Sequence, residues 1–225
     1  MSTQLSRKEK QAKTRSSLLA SAAKLICRKG ISEASVEDVA TDAGYTKGAF
    51  YANFKSKEEL FLVMLDEKYA AELERLEATL PGEDAAAEEV RRSAEDFIRF
   101  AWADSEWPKL YFEFATYAAR NPDFREELAT RNRAMRDRIA EVIRAWASDF
   151  PGEPPFPYED VAMMLHFMVD GFFIGRLIEP SLSEELYATM VTTFFRGIGA
   201  SALGLDLEAI AEAQDAKSRK AGAGR

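Results

Sequence analysis

The sequence predicts an all-α fold, a small N-terminal helical domain followed by a larger helical one. Three observations carry the prediction. Apolar residues recur at three- and four-residue spacing along most of the chain. Capping residues and Gly or Pro breakers separate the resulting segments. No run alternates polar and apolar residues between hairpin signals, and no internal repeat is present.

In chain order, Leu18, Leu19, Ala22, Leu25 and Ile26 line one helical face, and Gly30 closes that element. Ser35-Val36-Glu37-Asp38 has the form of a capping box and opens a short helix that Gly44 ends. Thr46 caps another short helix that runs to Phe54. Ser56-Lys57-Glu58-Glu59 is a second box, opening an amphipathic helix to about Thr79, and Pro81-Gly82 breaks the chain. Asp84 caps a helix to about Asp104, and Pro108 sits in the first turn of the next, which stops before Asn121-Pro122. A charged helix follows over 123–149. Pro151, Pro154, Pro155 and Pro157 hold a loop that cannot be helical. Two last helices, 158–178 and 183–203, flank Glu179-Pro180-Ser181, and residues 206–225 read as a mobile tail.

Composition narrows the function. With 225 residues, 47% of them apolar, there is chain enough to bury a core without covalent staples. One Cys and one His exclude an intrachain disulfide, a His/Cys metal cluster and a Cys–His catalytic pair. No Gly-rich phosphate loop is present, and no spacing singles out a carboxylate pair among the 38 acids. An enzyme is therefore disfavoured, and no cofactor is expected. Residues 18–26 are too short, and too interrupted by Lys24, for a secretory segment. The stretch from Leu186 to Leu205 carries Arg196 and several Gly, Thr and Ser residues, which suits a buried or interface helix and no membrane span. The expected compartment is the cytoplasm.

The net charge of −8 conceals an asymmetry. Residues 1–57 hold 11 Lys/Arg against 5 Asp/Glu, while the remaining 168 hold 19 against 33. A basic segment on an acidic body suits a first part that meets a polyanion. Arg7, Lys8, Lys10, Lys13 and Arg15 face a single Glu9. Alone, such a run reads as a solvated terminus, here a basic flexible arm over residues 1–10.

The arm precedes a recognisable corner. Residues 35–54 form two short helices joined by Ala43-Gly44-Tyr45-Thr46, with Gly44 for the tight turn and Thr46 for the free N–H groups of the second helix. That outline is a helix-turn-helix, although plain helical corners share it. Val36, Val39 and Ala40 are expected to pack the first helix, and Ala49, Phe50 and Phe54 the second. Thr46, Lys47, Gly48, Tyr51 and Asn53 then face outward, able to reach phosphate or base edges. Lys57 stands at the next helix start, where a cation can join free N–H groups on phosphate.

The run Ser35-Val36-Glu37-Asp38-Val39-Ala40, Ala43-Gly44-Tyr45-Thr46-Lys47-Gly48-Ala49-Phe50-Tyr51-Ala52-Asn53-Phe54-Lys55-Ser56-Lys57-Glu58-Glu59-Leu60 resembles the DNA-binding domain of the TetR family of transcriptional regulators, densely over residues 11–65. Asn53 departs from the His often found there, which bears on operator preference. The resemblance implies a helix-turn-helix domain over 11–65 and a ligand-binding and dimerisation domain over 66–205. It further implies a homodimer on double-stranded DNA with a palindromic operator, usually a repressor, released by a small-molecule effector and working at the bacterial nucleoid. It places Thr46, Lys47 and Gly48 at base edges or nearby phosphates. Tyr45, Tyr51 and Lys57 would hold the backbone, with Ser35 helping.

For the C-terminal part, the last two helices are the expected dimer interface. Met164, Met168, Gly171, Phe172, Gly175, Met190 and Phe194 supply apolar faces and close approach; closing the monomer's own core is the other use for them. Trp102, Trp107, Tyr111, Phe114 and Tyr117 crowd the middle of the chain as core or as an apolar pocket, with His166 and Asp170 as a polar pair at i and i+4. The favoured effector is a flat or elongated hydrophobic molecule. The rival reading is a DNA-bound protein whose C-terminal half docks a partner protein instead of a metabolite.

Overall fold

The computed structural model describes residues 6–80, 87–103, 106–148 and 152–202; the side chains of residues 87–91 and of Trp102 lie outside that description, as does the expected tail over 206–225. Among the described residues nine α-helices follow one another: α1 (Arg7–Lys29), α2 (Val36–Asp42), α3 (Lys47–Tyr51), α4 (Lys57–Thr79), α5 (Ala87–Ala103), α6 (Trp107–Arg120), α7 (Pro122–Ala147), α8 (Tyr158–Ile178) and α9 (Glu184–Ala202).

Two starts differ from the sequence reading, each for a local reason. Residues 7–10, expected in a flexible arm, are the first turn of α1. The Ser6 hydroxyl accepts from the Glu9 N–H (3.3 Å) and the Glu9 carboxylate from the Ser6 N–H (2.7 Å). Periodicity hides this box because the first buried residue is Leu18, eleven positions into the helix. At the next boundary, Asn121 adopts the extended backbone favoured before proline (φ −127°), and Pro122 itself opens α7, where its missing N–H costs nothing.

The caps of α2 and α3 form as the sequence demands. Ser35 and Asp38 bond reciprocally, and Thr46 accepts from the Ala49 N–H (3.2 Å). The box at Ser56 closes on one side only. Its hydroxyl accepts from the Glu59 N–H (3.1 Å), while the Glu59 carboxylate takes the Lys55 N–H.

The chain divides into two compact units, Met1–Glu74 with Trp102–Met135, and Arg75–Ala101 with Arg136–Arg225. In the first, Leu18, Ile26, Ile31, Val39, Phe50 and Leu65 are fully or almost fully buried together with Phe114 of α6. In the second, Ile98, Ile143, Val161, Phe172 and Tyr187 form the core, with the Phe172 and Tyr187 rings 5.3 Å apart.

Candidate DNA-binding surface

The corner between α2 and α3 is built by backbone chemistry. Gly44 takes φ +78°, its N–H bonds the Thr41 carbonyl (3.0 Å), and the Tyr45 N–H reaches back to the Ala40 carbonyl (2.8 Å). This is a Schellman closure, which satisfies the orphan carbonyls of α2 and turns the chain sharply into the Thr46 cap. The α3 helix is only five residues long, far below what is stable alone, so packing must hold it. Phe50 is 0% exposed and its ring lies 5.6 Å from that of Phe54. On the other side Val39 and Ala40 anchor α2, and the Ser21 hydroxyl of α1 lies 2.7 Å from the Asp42 carboxylate.

What α3 leaves outside is polar and close to its backbone. Thr46, Lys47 and Gly48 are exposed, and Tyr51 is 52% exposed with its ring edge-on to Phe50. The Thr46 oxygen accepts from Ala49, so its O–H remains available as a donor. Lys47 is an exposed cation at the helix start. Gly48 puts no side chain between the helix and whatever approaches it.

Other candidates are otherwise engaged. Ser35 is exposed, but its hydroxyl accepts from the Asp38 N–H and donates to the Asp38 carboxylate (2.6 Å). The Lys29 ammonium (2.7 Å) first, then the Ser35 hydroxyl and N–H, hold the Asp38 carboxyl well below the usual carboxylate range. Asn53 is half-buried and donates its side-chain N–H to the Ala49 carbonyl (2.8 Å). The Lys57 ammonium, expected on phosphate, turns back onto the loop after α1, donating to the Ile31 carbonyl (3.3 Å) with the Tyr117 ring 5.9 Å away. Tyr45 is half-buried beside the turn.

This bracing of the loop extends to α6 and was not legible in the sequence, because its members are about 60 to 80 residues apart. The Glu113 carboxylate accepts from the Ile31 N–H (3.2 Å). The Tyr117 hydroxyl donates to Glu58 (2.9 Å), and burial, then Glu58, push the Tyr117 phenol up to about 12.

The proposed ligand residues fall into both units. Trp107, Tyr111, Phe114 and Tyr117 all lie on α6 in an aromatic cluster. Phe114 stacks on Phe61 (6.0 Å) and meets Trp107 edge-on (6.2 Å), while Tyr117 meets Phe124 (5.1 Å). The polar tips find protein partners: Asn132 accepts from Tyr69 (2.8 Å) and donates to Tyr111 (3.3 Å). His166 and Asp170 lie on α8 in the second unit, with His166 Nε2 3.5 Å from the carboxylate. Burial first, then the charge of Arg136, lowers the imidazole to about 4, so it is neutral at pH 7.

The expected interface residues divide between the unit's own core and its surface. Phe172 is 5% exposed and packed on Tyr187, and Gly175 admits Leu182, whose Cδ1 would lie 3.2 Å from an added Cβ. Both therefore serve their own unit. Met164, Met168 and Phe194 are half-buried, while Gly171 faces open space and Met190 is exposed. The outward stripe of α8 is instead Met163, Phe167, Gly171, Ile174 and Ile178, spaced at three and four residues; on α9 it is Leu186 and Met190. Helical phase does not single this stripe out, because α8 is apolar on nearly every side. By length and composition alone it is long and apolar enough to cross a membrane, and 33% of its most apolar stretch is buried.

Comparison with known proteins places this geometry. The family model for bacterial regulatory proteins of the tetR family matches residues 18–64, and that for the C-terminal domain of BetI-type transcriptional repressors matches residues 86–200. The HTH-type transcriptional repressor AcnR of Corynebacterium efficiens is 24% identical over 178 residues, which span 79% of this chain and 89% of that one. A transcriptional regulator from Rhodococcus sp. Rha1 shares the fold with a TM-score of 0.65, at 24% identity over 84% of this chain and 97% of that one. FadR of Bacillus subtilis, solved in complex with stearoyl-CoA, has a TM-score of 0.64 at 15% identity, covering 79% and 95%. With a helix-turn-helix that presents Thr46, Lys47, Gly48 and Tyr51 and both parts matched in order, the chain belongs to the TetR family of bacterial transcriptional regulators, a family of DNA-binding regulators and not of enzymes.

Proposed function

We propose that the chain acts in the bacterial cytoplasm as a homodimer that binds a palindromic operator, represses transcription there, and is released by a small hydrophobic effector. The observation that carries the reading is α3, which turns Phe50 inward and leaves a cation, a hydroxyl donor, a bare backbone and a tyrosine on one outer face. Thr46, Lys47 and Gly48 would approach base edges, and Tyr51, with Tyr45, the backbone. Ser35 and Asn53 would help only by exchanging their present bonds, and Lys57 would act by holding the loop.

The exposed stripe on α8 and α9 supports the dimer. Paired with a second copy it would make a four-helix bundle and remove from water an apolar surface unusual for a monomer. A hydrophobic effector is supported by the acyl chain that FadR carries on the same fold, and by the aromatic weight of α6. A filled aromatic cluster would instead favour the rival reading, in which a partner protein occupies the apolar stripe.

The test is a selection of bound duplexes from a random pool, at stated salt, with the purified chain. Recovery of one palindrome with half-sites about one helical turn apart is expected. Recovery of no preferred sequence would overturn the reading.

A further inference from the structure

α1 is longer than its packing requires. It begins at a complete capping box on Ser6 and Glu9, yet every residue from Ser6 to Lys13 is exposed and the first buried residue is Leu18. Helices of marginal length are held by packing, so two turns standing in solvent with their own cap are a feature to explain. These turns carry Arg7, Lys8, Lys10 and Lys13, none paired with an acid among the described residues. Their one acid, Glu9, is occupied by the cap.

The direction of the projection follows from contacts within the first unit. The C-terminal end of α1 is tied to α6, through the Cys27 thiol at the Glu106 carbonyl (3.8 Å) and the Glu113 carboxylate on Ile31. Towards its other end, the Arg15 guanidinium lies 4.7 Å from the centroid of the Phe54 ring, just past the end of α3. The helix thus lies alongside α2, with Lys29 on Asp38 and Ser21 on Asp42, reaches the end of α3 at Arg15, and its first two turns continue beyond that point. From Arg15 back to Arg7 it extends by about 12 Å, about three and a half base pairs of duplex.

We propose that the first two turns of α1 are a stiff basic prong that contacts duplex phosphates flanking the half-site, outside the base pairs read by α3. This rests on the DNA-binding reading and deepens it, adding a second contact surface whose position is set by helix geometry. Four unpaired cations and the positive end of a helix dipole together match the charge of a phosphate backbone. Stiffness is the distinguishing content. A flexible arm could meet phosphate anywhere, whereas a helix fixed at Arg15 reaches one place.

The test uses the full chain and the duplex recovered by selection, made in two lengths: the palindrome alone, and the palindrome with about eight added base pairs at each end, enough to span the reach of the prong. Wild type should bind the longer duplex about tenfold or more tightly at moderate salt. The variant R7Q/K8Q/K10Q/K13Q should lose that gain and keep its affinity for the short duplex within about twofold. Its salt slope should fall by about 0.9 for each phosphate it no longer neutralises. Gln11→Pro keeps all four cations but breaks the helix. It should also lose the gain, and a gain equal to wild type would overturn the stiff prong in favour of a flexible arm. A quadruple variant indistinguishable from wild type on both duplexes would overturn the contact itself. A wild-type chain with no preferred duplex would sink the sequence-reading function, and equal binding of mixed-sequence duplexes by wild type and the quadruple variant would then sink the prong as well.

Discussion

The reading motif and the α8–α9 pair bury side chains by opposite logics. In the motif nearly every polar group serves a local purpose. Ser35 and Asp38 cap α2, Gly44 turns the chain, Thr46 caps α3, and only Val39, Ala40, Phe50 and Phe54 are buried. In α8 and α9 the apolar residues exceed what one unit can cover. Phe172 and Tyr187 go inward while Phe167 (58% exposed) and Ile178 (81% exposed) stay out. The contrast suits the proposed division, with specificity in the first region and association in the second. A five-residue helix held by two rings can present a defined polar face, and a surplus of apolar surface can join copies without specifying more than a direction.

The largest expected effect tests the anchor of that polar face. Phe50→Ala opens a cavity at a fully buried ring and should cost about 3–5 kcal/mol, enough to unfold the motif. Tyr51→Ala, one residue on, removes an exposed ring and should change stability by about 1 kcal/mol or less while abolishing tight operator binding. Thermal melts and DNA titrations on both variants measure the two quantities. Similar loss of stability in the two would break the division of α3 into an anchor and a reading face.

The same opposition can be sought in α8. Phe167→Glu places a charge in the proposed interface and should give monomers by sedimentation, with helical content retained. Phe172→Ala should leave the association state alone and lower stability by about 3–5 kcal/mol, because its ring is part of the unit's core. Part of the Phe167→Glu effect will also appear as lowered Tm, since association stabilises the folded chain by mass action. Dimers that persist in Phe167→Glu would move the interface off this stripe.

This difference also decides what a sequence can reveal. Helix order, the caps at Ser35 and Thr46 and the left-handed turn at Gly44 are legible, because each follows a short-range rule about one residue's hydrogen bonds or φ. The exposed face of α8 is not: Met163 and Phe167 stand out, while Met164 and Met168, one position on and expected at the interface, are half-buried. A helix apolar on nearly all sides carries no phase, and only its neighbours decide which side they cover. Lys57 misleads for a related reason. Its sequence position suits a phosphate, but its loop partners Ile31 and Ser32 lie about 25 residues away and outcompete solvent for the ammonium.

The smallest effect is the sharpest test of the turn, because the nearby glycines Gly44 and Gly48 should answer with opposite sign. Gly44 has φ +78° and open space where a Cβ would stand, so Gly44→Ala meets no atom and suffers only the left-handed penalty, about 1–2 kcal/mol. Gly48 lies inside α3, where an added Cβ would sit 3.7 Å from the Thr46 oxygen, an ordinary contact. Gly48→Ala should therefore stabilise the helix by up to about 1 kcal/mol. It should nevertheless weaken operator binding, because the new methyl stands where the backbone would approach DNA. A Gly48→Ala variant both more stable and equally tight on its operator would show that α3 keeps its distance there, and would leave Lys47 and Tyr51 to carry the recognition.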